Sequence, residues 1–270
     1  MAENLRQVVD IVGDSHTMFF KSDLRILRRI GVNRSIRYMP RVQQVNGASL
    51  TGVRKYASTL RLKEIIEEKA KTSSHMVVSL GQVDLELGFY YRQVVKGETW
   101  QPADYVEFLA DIYKGLLEGI GGTGCQVALK GVNLTVLSTR LFSKRYLSRI
   151  LTEKSPDTRA EAEAKLTGLM LGEPAQNAFH LAFNARIAAL AAEHGARYFD
   201  INDRVAARNP RGVILQPMRL ATAHQPIAFD HHLAPTIHVH RAHFDALQAV
   251  FLQTEATKAA DLHVVDGVGV

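Results

Sequence analysis

The chain has 270 residues, enough for one large domain with a well-buried core or at most two small ones. A hydrophobic fraction of 46% and a charged fraction of 22% are those of an ordinary globular protein, and no window is apolar enough to span a bilayer. The formal charge of +6 invites a nucleic-acid partner, yet the 33 Lys and Arg lie scattered beside acidic residues, as in Lys63-Glu64, without the aromatic-and-basic platform that stacks on bases. We therefore read the charge as a solvated surface and expect neither a nucleic-acid nor a membrane partner.

In chain order, residues 1–6 show no cationic start leading into an apolar stretch, so we expect no secretory signal and a cytoplasmic setting. Residues 8–12, Val-Val-Asp-Ile-Val, predict a buried strand that breaks into Gly13-Asp14-Ser15-His16. Gly13 permits a sharp bend, which places the Ser15 hydroxyl at the carboxyl edge of the sheet, where open parallel sheets bind ligands. Further strands are expected over 35–39, 76–80, 126–137 and 197–201. Helical patterns occupy 23–30, 50–71, 102–120, 159–171, 174–194 and about 235–254. Pro102-Ala103-Asp104 and Glu173-Pro174 read as helix starts, and Gly195 as a helix stop. Cys125, alone of its kind, excludes an internal disulfide and reads as a small core residue.

Repeated alternation of strand and helix predicts a three-layer α/β domain with a parallel sheet. Two stretches fit it poorly: 89–101, with Phe89, Tyr90, Tyr91, Arg92 and Trp100, and 141–172. Insertions beyond the carboxyl ends of strands shape substrate sites or subunit contacts. The tail over 257–270 has little pattern and is expected to pack loosely or to pair with a neighbouring chain in a homo-oligomer.

A serine hydroxyl attacks a carbonyl at neutral pH only with a base beside it. The stretch Phe229-Asp230-His231-His232-Leu233-Ala234-Pro235 offers imidazoles and a carboxylate just before the last helix. Taken singly, each motif also has a plain structural role. Asp14 or Ser15 caps a helix, Asp84 caps a turn, and the paired histidines form a polar surface turn. His238 and His240 with Asp230 and His232 suggest a metal cluster, but helical spacing sets His238, His240 and His243 partly on different faces, so no metal and no cofactor are expected.

The order of these features resembles the SGNH (GDSL-like) hydrolase superfamily, serine esterases and acetyl-hydrolases on a flavodoxin-like sheet, from residue 8 to about 250. The resemblance implies a flavodoxin-like three-layer α/β/α sandwich with a five-stranded parallel sheet in the order 2-1-3-4-5. It also implies one domain over 1–255 and a C-terminal tail over 256–270. Ser15 would be the nucleophile, its own N–H an oxyanion donor, and Gly47 of Asn46-Gly47-Ala48-Ser49 the second donor. The third block, Gly-x-Asn-Asp in the family, reads Gly81-Gln82-Val83-Asp84, close to the Gly-Glu-Ile-Asp of a subset encoded with polysaccharide genes. Valine cannot donate, and losing one such donor costs ~10²–10³ in rate, so Gln82, Arg92 or a backbone amide substitutes, or the enzyme is slow.

Asp14 and Asp84 are supporting residues in this scheme. The last block, Asp-x-x-His in the family, appears with Asp230 only two residues before His232. His232 would be the base and Asp230 its orienting acid; a carbonyl, Asp200 or Asp203 could orient instead, or His231 could be the base. The implied reaction is attack on the ester of an O-acylated small molecule or glycan, completed by water, or by a sugar hydroxyl in a transacylase. Tyr90, Tyr91 and Trp100 would stack on a sugar or fill the core. The rival reading is a non-catalytic protein that keeps the fold and binds a glycan or a protein partner.

Overall fold

The computed structural model describes residues 6–21, 36–54, 60–137, 141–153, 158–226 and 230–265. Five parallel strands pair in the order β2-β1-β3-β4-β5. They are β1 (Gln7–Gly13), β2 (Tyr38–Gln44), β3 (His75–Ser79), β4 (Gln126–Lys130) and β5 (Arg197–Phe199). This is the flavodoxin-like order that the resemblance implies.

Alternation along the inner strands builds two cores. Val12, Met76, Val78 and Leu129 face a layer made by helices α1 (Leu62–Thr72), α3 (Pro102–Ile120) and α6 (Glu173–Glu193). Val9, Ile11, Val77 and Ala128 face the other layer, where Val239, Leu247 and Phe251 of α8 (Ile237–Val265) pack. Helices α3 and α6 begin with proline in the first turn, and Gly195, at φ +65°, ends α6.

The remaining boundaries differ from the sequence reading for physical reasons. Strand β2 starts later and runs through Pro40, which an edge strand tolerates because one of its hydrogen-bonding sides has no partner strand. The helix expected over 50–71 is a 3-10 turn (Leu50–Arg54) and then α1, preceded by Arg61 at φ 48°. The two stretches that broke the alternation hold α2 (Phe89–Val94), α4 (Leu141–Thr152) and α5 (Arg159–Leu169), and α7 (Asn202–Val205) follows β5. The helix expected over 23–30 lies outside the described residues.

The strand expected over 126–137 stops at Lys130 because side chains replace the neighbouring strand. The N–H groups of Val132, Asn133, Leu134 and Thr135 donate to Asn184, Gln82, Asn202 and Asn177, at 2.7, 2.7, 2.9 and 2.8 Å. The Val132 carbonyl accepts from Asn184 and Asn202, and the Asn133 carbonyl from His180 Nδ1. Buried backbone groups need such partners when no ladder supplies them. Below this segment Glu86 lies fully buried, its Oε1 accepting from Gln82 Nε2 at 2.9 Å and Thr135 Oγ1 at 3.1 Å. Burial pushes its carboxyl up to about 7.

A Cβ on Gly13 would stand 2.0 Å from the Ser79 carbonyl oxygen and 2.8 Å from Thr17 Cγ2. Gly13→Ala should therefore lower the urea-unfolding free energy by about 3 kcal/mol or more; a loss under about 1 would show that the turn is not close-packed. Glu86 has its pKa raised from 4.5 to about 7, so its contribution to stability is full below the lower value and is lost as pH rises through the upper one. Between about pH 5 and 8 the wild type should lose stability relative to Glu86→Gln, on the order of 3 kcal/mol, and parallel curves would contradict this.

Candidate active site

After Gly13 the chain turns through Asp14 into a 3-10 turn, Ser15–Phe20. Asp14 is the cap: its Oδ1 accepts the His16 N–H at 2.9 Å and lies 3.1 Å from His16 Nδ1. Ser15 is left free for another partner. Its Oγ lies 2.7 Å from Nε2 of His232. Nδ1 of that ring is 2.5 Å from Asp230 Oδ1, which also accepts the N–H groups of His231 (2.7 Å) and His232 (3.2 Å). The carboxylate thus folds its own loop as an Asx turn, and this is how a spacing of two residues still brings acid and ring together. With Nδ1–H donated to Asp230, Nε2 carries the lone pair that faces the serine hydroxyl.

Charge in this cluster is set by burial and by a second Asp–His couple. Burial pushes His232 down, and the neighbouring His16 pushes it further, against the pull of Asp230. Asp230 is raised by burial, but its hydrogen bonds with His232 and the loop N–H groups outweigh that and hold it below the usual carboxylate range. Burial drives His16 down, but Asp14 and Glu86 together drive it up by more, so it holds its proton more tightly than a free imidazole. The His16 and His232 ring centres are 4.3 Å apart.

The loop after β2 flanks the serine turn. Gly13 pairs with Gln44, and the Val45 N–H donates to the Gly13 carbonyl at 2.8 Å. Gly47 follows at φ +73°, a conformation open to glycine. Neither the Ser15 nor the Gly47 N–H has a hydrogen-bond partner among the described residues. Asp84 pins the far side of this loop: its carboxylate accepts from the Leu50 N–H at 2.6 Å and the Thr51 N–H at 3.0 Å, and burial raises it to about 6.

Other candidates are engaged elsewhere. The Gln82 amide donates to Glu86 and the Asn133 carbonyl and accepts from the Asn133 N–H, so it serves the 131–137 segment rather than the oxyanion expected of it. Arg92 pairs with Glu98 at 2.7 Å and stacks on Phe108. Asp200 holds Tyr198 and the Asn202 N–H. Tyr90 is buried with its hydroxyl on Gln176, and Trp100 packs against Tyr105 and Phe108. His238, His240 and His243 each bond a different backbone carbonyl, of Arg204, Phe19 and Val239. Cys125 is half-buried, its thiol pushed up to about 11 by burial.

Three residues of this region carried no role in the sequence reading. His16 stood inside the first motif, and its place one residue after the serine was the available signal. Tyr146, on α4, bonds Nδ1 of His231 and came from the 141–172 stretch that fits the alternation poorly. Lys130 is buried and pushed down to about 8 by burial, with Nζ donating to the Gly131 carbonyl and Asn133 Oδ1. A single charge inside the apolar run 126–137 was its trace.

No protein-family model matches the chain, and the curated proteins contain no significant match. Solved structures are similar. A phospholipase A1 from Streptomyces albidoflavus NA297 aligns at 13% identity over 91% of this chain and 100% of that one, with a TM-score of 0.51. An extracellular lipase from Streptomyces rimosus aligns at 14% identity over 90% and 99%, with a TM-score of 0.47. A GDSL-like lipase from Bacteroides thetaiotaomicron VPI-5482 aligns at 12% over 93% and 89%, with a TM-score of 0.44. The fold assignment rests on the strand order and on the first of these. The chain shares its fold with that phospholipase A1, and its five parallel strands follow the flavodoxin-like order.

Proposed function

We propose that the protein is an SGNH-type serine esterase or acetyl-hydrolase acting on an O-acylated small molecule or glycan. The observation that carries this reading is the continuous relay from Ser15 Oγ through His232 to Asp230, with contacts of 2.7 and 2.5 Å. His232 Nε2 takes the hydroxyl proton as Ser15 Oγ bonds to the ester carbon. Asp230 keeps the ring in the required tautomer and stabilises the imidazolium that forms. The oxyanion is met by the N–H groups of Ser15 and Gly47. His232 then hands its proton to the leaving alkoxide, and water activated by the same ring releases the acyl group. A sugar hydroxyl in place of that water turns the second step into transacylation.

A carbohydrate O-acetyl group is the substrate class this reading favours, because the third block resembles the subset encoded with polysaccharide genes. Asp84 and Asp14 act by position, the first holding the Gly47 loop and the second the turn beneath Ser15. Val83 stands where a third oxyanion donor belongs, which sets the expected rate ~10²–10³ below that of a three-donor site. The same residue favours a second reading, a non-catalytic protein that binds a glycan or protein partner through this edge of the sheet.

Hydrolysis of p-nitrophenyl acetate separates the two. Ser15→Ala and His232→Ala should each lower kcat/KM at least ~10³-fold, and the double variant should fall no further, since the pair works as a unit. Asp230→Asn should cost up to ~10⁴-fold in kcat by favouring the wrong tautomer. Wild-type turnover equal to that of Ser15→Ala would leave the binding-protein reading standing.

A further inference from the structure

We propose that His16, His231 and His232 together form a site for a borderline divalent ion of the Zn²⁺ class, and that filling it switches off the chemistry of Ser15. The inhibitory half rests on the esterase reading; the binding half does not. One ligand atom from each of the three imidazoles lies within 4.8 Å of the other two. Their ring centres are 4.2, 4.3 and 5.0 Å apart.

The partners of the three rings point the same way. Nδ1 is held in each: by Asp14 in His16, by Asp230 in His232 and by Tyr146 in His231. A carboxylate or another polar group on the far nitrogen is the arrangement that orients histidine for a metal. That leaves three Nε2 atoms. His232 Nε2 faces Ser15, and His16 Nε2 lies a long 3.4 Å from the His231 carbonyl oxygen, an acceptor, so an ion bound there displaces the proton that Asp14 helps His16 to hold. His231 Nε2 is buried and has no hydrogen-bond partner. A buried polar atom left unpaired costs free energy, and a cation would satisfy it.

Zinc holds imidazole nitrogens at ~2.0–2.1 Å, so its tetrahedral donors stand about 3.4 Å apart. The three rings therefore need only draw inward, by rotation of His231 and His232, which are partly exposed. Three imidazoles suit zinc and leave a fourth position for water. The ion would occupy the lone pair of His232 Nε2 that otherwise accepts the Ser15 proton. Metal binding and acyl transfer thus exclude one another; binding releases the His16 proton to solvent and involves no change of oxidation state.

The test is titration of the chelator-treated full chain with ZnCl₂ by calorimetry, and with Co²⁺ by visible absorption, beside p-nitrophenyl acetate turnover. We expect one ion per chain, a tetrahedral Co²⁺ spectrum and retained binding in Ser15→Ala. Affinity should fall about 10–100-fold in Tyr146→Phe and further in His231→Gln. Turnover should fall in proportion to occupancy and return with EDTA. Binding well below one ion per chain, or binding unchanged in His231→Gln, would overturn the site. The first measurement uses the unaltered chain and so does not depend on how the variants fold. Full turnover at saturating Zn²⁺ would sink the inference while sparing the esterase reading. Stoichiometric binding with no turnover above Ser15→Ala would do the reverse.

Discussion

Parallel pairing of the five strands is the constraint on which everything at the site depends. Because all the strands run one way, all their carboxyl ends open on one edge, and each part of the site leaves one of those ends. Ser15 follows β1, the Gly47 loop follows β2, Asp84 follows β3, and the 131–137 segment follows β4. The loop carrying Asp230 and His232 comes after β5 and just before α8. The contact between Ser15 and His232 spans 217 residues of chain, but the fold reduces it to a meeting of two loops on a shared rim.

Side chains take up the backbone N–H groups that the strands leave unpaired along much of the rim. Gln82, Asn177, Asn184 and Asn202 hold four successive N–H groups, and Asp84 holds two more. Each such amide is committed, which is why Gln82 cannot also aim at an oxyanion. Satisfied buried networks specify one arrangement, and losing any member leaves an unpaired group in a medium that penalises it. In the proposed esterase, the departure at Val83 would leave the Ser15 and Gly47 N–H groups to do the work of three donors.

Two Asp–His couples stand side by side at the centre. Asp230 steadies His232, while Asp14 steadies His16, whose ring centre lies 4.3 Å from that of His232. Asp14 is at once the cap of the turn and the counter-charge of a buried imidazole. A capping role and a role at the site, read from sequence as alternatives, are filled by one carboxylate.

Much of this was legible from residues alone. The apolar run ending at Gly13, the prolines opening α3 and α6, and the glycine closing α6 are local signals whose physics needs no distant partner. They determined the layered α/β class and the place of Ser15, and His232 and Asp230 could be named as its partners. Tertiary structure alone decided the rest. It ended β4 at Lys130 by supplying amide side chains from elsewhere in the chain, and it carried β2 through Pro40 by leaving that strand at the edge. It closed the short Asp230–His232 spacing with a turn, withdrew Gln82 from the oxyanion, and brought His16 and Tyr146 beside the histidine pair. Hydrogen bonding and burial act between atoms close in space, and sequence separation carries no record of which distant atoms those will be.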